Sequence, residues 1–317
     1  MNKAADVDRP SAAEWLTSRV PNLVGRVFVV TGATSGLGLE TARALGSRGA
    51  TVIMTARDMA KGEAVVEALT AEQPDARFDL RHLDLADLDS VREFAARVER
   101  VDVLVNNAGV MMPPHTHTKQ GYELQFGVNH LAHFTLTIML FNTLLRGDDP
   151  RVVTVSSGLH RRGRIHFGDL HGNQKYSGPA YYAQSKLANV VFALELHRRL
   201  RTNGIGMRSV LAHPGFTATN LHSAAPGGVG KLLMKAGNRF MAQDVSMGAL
   251  PQIYAAAGPD VEGGQFWGPD GRNESKGYPT LVQPLDEARD RELGRRLWDV
   301  SAELTGVHID LEPRREP

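Results

Sequence analysis

The chain has 317 residues, 42% of them hydrophobic and 22% charged, the composition of an ordinary globular protein of one large or two small domains. With 36 basic and 35 acidic side chains the net charge is +1, too small to build the basic field that nucleic acid requires. There is no cysteine, which excludes a disulfide framework, a cysteine-ligated metal and a thiol nucleophile.

The N-terminal stretch MNKAADVDRPSAAEWLTSRVPNLVGR has no continuous apolar core, so neither a signal peptide nor a membrane anchor is expected. No segment reaches the roughly 18 apolar residues of a membrane span, and the cytoplasm is the expected compartment. Ser11 and Glu14 stand at capping-box spacing for a short helix that Pro21 ends. GRVFVVTG predicts a first strand, and LETARALGSRG a helix closed by Gly49. ATVIMTAR is a second strand, DMAKGEAVVEALTAEQP a second helix stopped by Pro74, and FDLRHLDL a third strand. DSVREFAARVERV follows as a helix, with Ser90 and Glu93 again at capping-box spacing. DVLVNNAG is a fourth strand, GYELQFGVNHLAHFTLTIMLFNTLL one long helix, and RVVTVSS a fifth strand. YYAQSKLANVVFALELHRRLRTNG is a second long helix, IGMRSVLAHPG a sixth strand and GGQFWG a short seventh.

Strict alternation of helices with strands apolar on both faces predicts a mostly parallel, seven-stranded sheet covered by helices on both sides. No Pro/Ser-rich linker divides it. One α/β domain is therefore expected over residues 25–305, after an N-terminal appendage (1–24) and before a polar tail (306–317).

TGATSGLG joins the first strand to the first helix, with Thr34, Ser35 and Leu37 between Gly32, Gly36 and Gly38. Backbone without Cβ can approach a pyrophosphate, and the helix start supplies unpaired N–H groups. The G-x-x-x-G-x-G spacing, with no Gly-Lys-Ser/Thr after it, speaks against a nucleoside-triphosphate loop. The bland alternative is a tight turn without a ligand; the place of the loop in a βαβ unit favours a dinucleotide. Where an acid would bond the 2′-hydroxyl of NAD, the second strand ends in Ala56 and Arg57. A guanidinium there suits the extra phosphate of NADP, so NADP(H) is the expected cofactor and NAD(H) the alternative. The competing reading is a solvated surface arginine, and Asp58 is a neighbour that could occupy it.

Two tyrosines stand together in SGPAYYAQSKLANVV, and helical geometry separates them. Tyr182 lies one turn before Lys186 on the same face, whereas Tyr181 faces Ser185. Of the six tyrosines only Tyr182 has a lysine four residues later. Poising a phenol near neutrality takes about three pH units, or roughly 4 kcal/mol. An ammonium ~4 Å away supplies on the order of 4 kcal/mol at an effective dielectric of 20. Tyr182 is the candidate for proton chemistry, with Lys186 and a positive nicotinamide ring expected to lower its pKa.

These residues belong to an ordered set. TGATSGLG, NNAG at 106–109, Asn129, VSS at 155–157, Tyr182 with Lys186, and HPG at 213–215 together resemble the short-chain dehydrogenase/reductase family, over about residues 24–270. The long interval between Ser157 and Tyr182, carrying GRIHFGDL, is similar to the branch of retinol dehydrogenase, WW-domain oxidoreductase and protochlorophyllide reductase. The resemblance implies a single Rossmann-type doubly wound domain. It implies that Gly32, Gly36 and Gly38 line the pyrophosphate and that Asp84 and Leu85 meet the adenine. Asn106, Ala108 and Gly109 would support the adenosine side and the sheet, and Pro214, Gly215 and Thr217 would border the nicotinamide. Ser157 would bind the substrate oxygen, Tyr182 exchange its proton, Lys186 also hold the nicotinamide ribose, and Asn129 kink its helix and retain a relay water. A homodimer or homotetramer, paired through the two long helices, is the family's usual assembly; the apolar face of LANVVFALEL fits that and fits packing on the sheet equally well.

The reading is an enzyme acting on a small-molecule alcohol or carbonyl, with a non-catalytic NADP-binding regulator as the alternative. The chlorophyll-precursor branch is disfavoured, since it is associated with cysteines. Twelve histidines raise a metal site, but His130 with His133 and the pair at 115 and 117 lack a third ligand, so none is expected. Two segments, 158–178 and 219–244, should flank the active site. The Leu, Met and Phe residues between about 216 and 243 suit a lid over an apolar ligand, or else an ordinary packed helix. The cationic HRRGR run could meet a charged substrate group, a partner or water.

Overall fold

A computed structural model describes residues 10–215, 244–309 and 311. Its strands are β1 (Val27–Val30), β2 (Thr51–Ala56), β3 (Arg77–His82), β4 (Val103–Asn106), β5 (Arg151–Val155), β6 (Arg208–Ala212), β7 (Phe266–Pro269) and β8 (Pro279–Leu281). They form one sheet in the order β3-β2-β1-β4-β5-β6-β7-β8, parallel from β3 through β7. The register sets Phe28 beside Val52 on one side and Val103 on the other. Chain order reverses between β1 and β4, and that reversal opens the crevice where ligands of such sheets sit.

Side chains alternate along each strand, and here the alternation divides two cores. Val29, Ile53, Leu104, Val152 and Leu211 join one cluster, with Phe94, Phe134, Val190 and Trp298 from the helices above it. Phe28, Val30, Val52, Val103, Val105 and Val153 join the other, with Trp15, Leu45, Leu69 and Ile253. The first core lies under α4 (Leu88–Ala96), α6 (Ala132–Leu145), α7 (Gly178–Thr202) and α9 (Arg291–Thr305). The second lies under α1 (Ala12–Arg19), α2 (Gly36–Ser47), α3 (Met59–Glu72) and α8 (Val245–Ala257). Strands buried on both faces read as continuous Val/Ile/Leu runs for this reason.

Among the described residues the sheet has eight strands rather than seven. β8 is three residues long and antiparallel to β7, pairing Trp267 with Leu281. So short a segment, opening on a proline at the sheet edge, carries no periodicity to detect. The helix expected to run unbroken from Gly121 is also divided. Glu123 caps a single turn, α5 (Leu124–Phe126), a π-helical turn follows over Gly127–Leu131, and α6 continues from it.

Both terminal helices pack on the body. The capping box of Ser11 and Glu14 is formed, and Trp15 lies edge-on to Tyr254 at 5.4 Å. Trp298 of α9 packs against Phe134 of α6 at 5.2 Å and carries Arg199 of α7 over its ring at 4.4 Å. The apolar face of α7 is therefore consumed inside one chain. No described helix is long and apolar enough to cross a membrane.

His130 and His133 are buried in this core. His130 Nε2 meets the Ser301 hydroxyl at 2.8 Å, and burial pulls its pKa down to about 3; His133 is pulled down to about 4. Both stay neutral in the folded state while the unfolded chain takes up protons below its ordinary value near 6.5. Their contribution to stability is thus complete above that value and is lost as pH falls toward 4. Acidifying from about pH 7 to about pH 5 should cost roughly 2 kcal/mol per histidine. Urea unfolding at the two pH values checks this, and a flat stability would contradict neutral burial.

Candidate active site

The crevice is built where β1 and β4 end. Thr31, at the end of β1, is buried, and its hydroxyl oxygen accepts the N–H groups of Asn107 and Ala108, both at 2.9 Å. Gly32 follows with φ +66°, and a Cβ there would stand 2.9 Å from that of Ala108. A Cβ on Gly38 would lie 2.3 Å from the Gly32 carbonyl oxygen and 2.6 Å from Asn107 Nδ2. Only glycine permits this closure. α2 then begins at Gly36, and its N-cap Ser35 makes no side-chain hydrogen bond. The first-turn N–H groups thus face the cradle without a side-chain cap, with Thr34 and Leu37 beside them, an arrangement that fits a pyrophosphate.

At the adenosine end Arg57 is exposed just beyond β2. Asp58 does not occupy it: its carboxylate accepts the Lys61 N–H at 3.1 Å as the N-cap of α3. Asp84 accepts the Ala86 N–H at 2.9 Å and Leu85 is buried, so both shape the turn after β3. Asn106 is turned away from the loop, donating to the Thr137 hydroxyl at 3.0 Å inside the core. Its neighbour Asn107 touches the cradle instead, donating to the Thr31 carbonyl at 2.8 Å and accepting from Gln252 at 3.0 Å. The sequence reading passed over Asn107, although the NN doublet was the available signal; Gln252 had none.

At the other end four side chains converge. Ser157 follows β5, half-buried, with its hydroxyl beside the Tyr182 phenol and its oxygen accepting the Leu159 N–H at 3.3 Å. Ser156 points inward and donates to the Lys186 carbonyl at 2.8 Å. Lys186 Nζ donates to the Val155 carbonyl at 3.2 Å and lies 5.8 Å from the centre of the Tyr182 ring. Asn129 sits on the π-helical turn, accepting the Val110 N–H at 2.8 Å and donating to Ser185 at 2.9 Å. Gly109 lies between them: a Cβ there would stand 3.2 Å from Asn129 Oδ1 and 3.4 Å from Lys186 Nζ.

Tyr181 is engaged elsewhere, its hydroxyl donating to the Asp169 carbonyl at 2.7 Å. Pro214 and Gly215 follow β6, Gly215 at φ +67°. Thr217 and the whole segment 216–243 lie outside the described residues. A cavity of about 670 Å³ beside β3 and α4, lined by Asp79, Arg81, Glu93 and Arg97, contains none of the candidate residues.

The electrostatics differ from the sequence expectation. Burial pushes the Tyr182 phenol up to about 12, against the opposing effect of the nearby Ser157 hydroxyl. Burial also draws Lys186 down to about 8. Both charged forms lose hydration together, and that loss outweighs the attraction expected of a solvated i, i+4 pair.

With fold and site in place, the comparisons are unambiguous about class. Residues 26–227 match the short chain dehydrogenase family, and the chain belongs to it, among the NAD(P)-dependent dehydrogenases and reductases. Human retinol dehydrogenase 13 is 40% identical over 299 residues, covering 89% of this chain and 85% of its own. Mouse polyprenol dehydrogenase is 41% identical over 302 residues, covering 91% and 86%. A crystal structure of an uncharacterised protein from Mycobacterium paratuberculosis matches with a TM-score of 0.77 at 40% identity, over 94% of this chain and 98% of that one. A short chain dehydrogenase from Burkholderia cenocepacia J2315, in complex with NADP, matches with a TM-score of 0.60 at 25% identity, over 77% and 96%.

The two serines should separate in stability. Ser156→Ala removes a buried hydrogen bond to the Lys186 carbonyl and should cost about 1 kcal/mol. Ser157→Ala, which loses only a 3.3 Å cap on a half-buried 3-10 turn, should cost less, about 0.5 kcal/mol. Denaturant unfolding of both variants measures the difference, and equal losses would contradict the inward placement of Ser156.

Proposed function

We propose that this protein is an NADP(H)-dependent oxidoreductase that interconverts a lipophilic alcohol and its carbonyl compound. The observation that carries the reading is the convergence of Ser157, Tyr182, Lys186 and Asn129 around Gly109, at the strand ends that also hold the glycine cradle. The bound dinucleotide supplies the hydride in one direction and accepts it in the other. In the reductive direction Ser157 donates to the carbonyl oxygen and orients it. Tyr182 delivers the proton that this oxygen needs as the carbon is reduced. Burial favours the protonated phenol, which is the state required to donate. Lys186 neutralises the phenolate left behind, and Asn129, held to Val110 and Ser185, keeps a path for reprotonation. In the oxidative direction the phenolate must form first, and the charge of the oxidised nicotinamide adds to that of Lys186.

Arg57, exposed and not drawn off by Asp58, supports NADP over NAD. The lipophilic substrate class rests on the relatives named for retinol and polyprenol, both isoprenoid alcohols, and on Leu221, Leu232, Leu233, Met234 and Phe240 in the segment that follows β6.

Tyr182→Phe should lower NADPH-dependent carbonyl reduction by roughly 10²- to 10⁴-fold. NADPH binding, followed by its fluorescence, should survive. Near-normal turnover in that variant overturns the assignment, and NADPH binding by the wild type without turnover of any carbonyl favours a nucleotide-binding regulator. Arg57→Ala should raise KM for NADPH about 10- to 100-fold while leaving KM for NADH within about twofold. Equal effects on both cofactors would place the phosphate elsewhere.

A further inference from the structure

Three turns meet at the carboxyl ends of the strands: one after β5, one after β6 and the connection between β7 and β8. Side chains without a role in the chemistry above tie them together. The first turn is a 3-10 turn over Gly158–Arg162, for which Ser157 is the N-cap. Its His160 is buried; Nδ1 donates to the Ser157 carbonyl at 2.7 Å, and Nε2 accepts the Leu285 N–H at 3.3 Å. The acceptor-only carbonyl and the donor-only amide fix the tautomer.

His213, before Pro214, is arranged the opposite way. Its Nδ1 accepts the Gly215 N–H at 3.2 Å, so Nε2 carries the hydrogen and donates it to Glu274 Oε2 at 3.0 Å. The other oxygen of Glu274 accepts from Arg161 at 2.7 Å, and Arg161 also donates to the Gln283 carbonyl at 2.9 Å. One carboxylate thus holds the turn after β6 through His213 and the turn after β5 through Arg161. The hydrogen bond from His213, with the further help of Arg161, keeps its pKa down to about 2.

The backbone has been shaped to this contact. Asn273 and Glu274 both have φ +54°, a left-handed conformation unfavourable to residues with a Cβ. A Cβ on Gly268 would lie 2.3 Å from His213 Nε2, and one on Gly215 would lie 2.4 Å from the Ser275 carbonyl oxygen. Two left-handed residues and two obligatory glycines surround the His213–Glu274 contact, a pattern that an incidental surface ion pair does not require.

We propose that Glu274 is a positioning residue that clamps the Ser157 turn and the Pro214–Gly215 turn at a fixed separation. The proposal rests on the reading of Ser157 and Pro214–Gly215 given above, because those turns would hold the substrate oxygen and the nicotinamide. Displacing either by a fraction of an ångström spoils the approach of the reacting atoms.

The test uses Glu274→Ala, Arg161→Ala and the double variant in the full chain. Glu274 and Arg161 are both partly exposed, so folding should survive, and the melting temperature checks it. Glu274→Ala should lower kcat for carbonyl reduction about 10- to 100-fold and raise KM for NADPH. Arg161→Ala should lower kcat with KM for NADPH nearly unchanged, since it releases only the Ser157 turn. The double variant should be no worse than Glu274→Ala alone, and Glu274→Gln, which keeps an acceptor for His213, should recover the NADPH KM.

Amide hydrogen exchange provides a readout independent of turnover: Glu274→Ala should speed exchange about tenfold or more in both 158–163 and 213–215. Unchanged exchange in either segment overturns the clamp. Accelerated exchange in both, with kcat and KM within twofold of wild type, overturns the positioning role. A wild type that reduces no carbonyl refutes the enzymatic reading and with it the positioning role, while the exchange data still decide whether the clamp exists.

Discussion

The hydroxyl of Thr31 is the junction on which the site is built. Its oxygen accepts two N–H groups from the end of β4, and its hydrogen is directed to His133 Nε2 at 2.9 Å. His133 Nδ1 in turn donates to the Asn129 carbonyl at 3.0 Å. The acceptor at one end sets the tautomer, and the neutral ring that results can accept the Thr31 hydrogen. One buried chain of bonds therefore joins the start of the glycine cradle, the floor of the crevice and the π-helical turn bearing Asn129. Every member is satisfied, which is the condition for a buried polar network to define a geometry rather than weaken a core.

Burial of Tyr182 and Lys186 has a consequence for the chemistry. Both ionised forms are penalised, which keeps the phenol protonated and lowers the amine to about 8. In the proposed reaction that state suits giving a proton in reduction. Dry surroundings also strengthen any polar contact made within the crevice. The same desolvation that raises the tyrosine thus sharpens the interactions around it.

The C-terminal helix changes the surfaces available to the molecule. α9 lays Trp298 against Phe134 and Phe192 and meets His130 through Ser301. The two long helices that the family resemblance associates with subunit pairing are covered by their own chain along this face. LANVVFALEL is apolar because it has two neighbours within one subunit, the sheet on one side and α9 on the other.

Much of this was legible in the order of residues, for local reasons. Alternating β-branched strands and capped helices report their own conformation, and the glycines of TGATSGLG state where a backbone must come close. Spacing on a helix distinguished Tyr182 from Tyr181, since one turn brings Lys186 to one and Ser185 to the other. Tertiary structure decided the rest. β8 has too few residues to announce itself and exists through its pairing with β7. The choice of Asn107 over Asn106 for the cradle depends on which face of β4 the chain leaves by. The rise in the Tyr182 pKa depends on how much water the assembled crevice excludes, and Glu274 reaches His213 only after the sheet places β6 beside β7. Sequence by itself determined most of the elements and the spacing of Tyr182 and Lys186, because those follow from neighbours along the chain. Distances across the crevice and the hydration of its groups arise between distant segments, so only folding could set them.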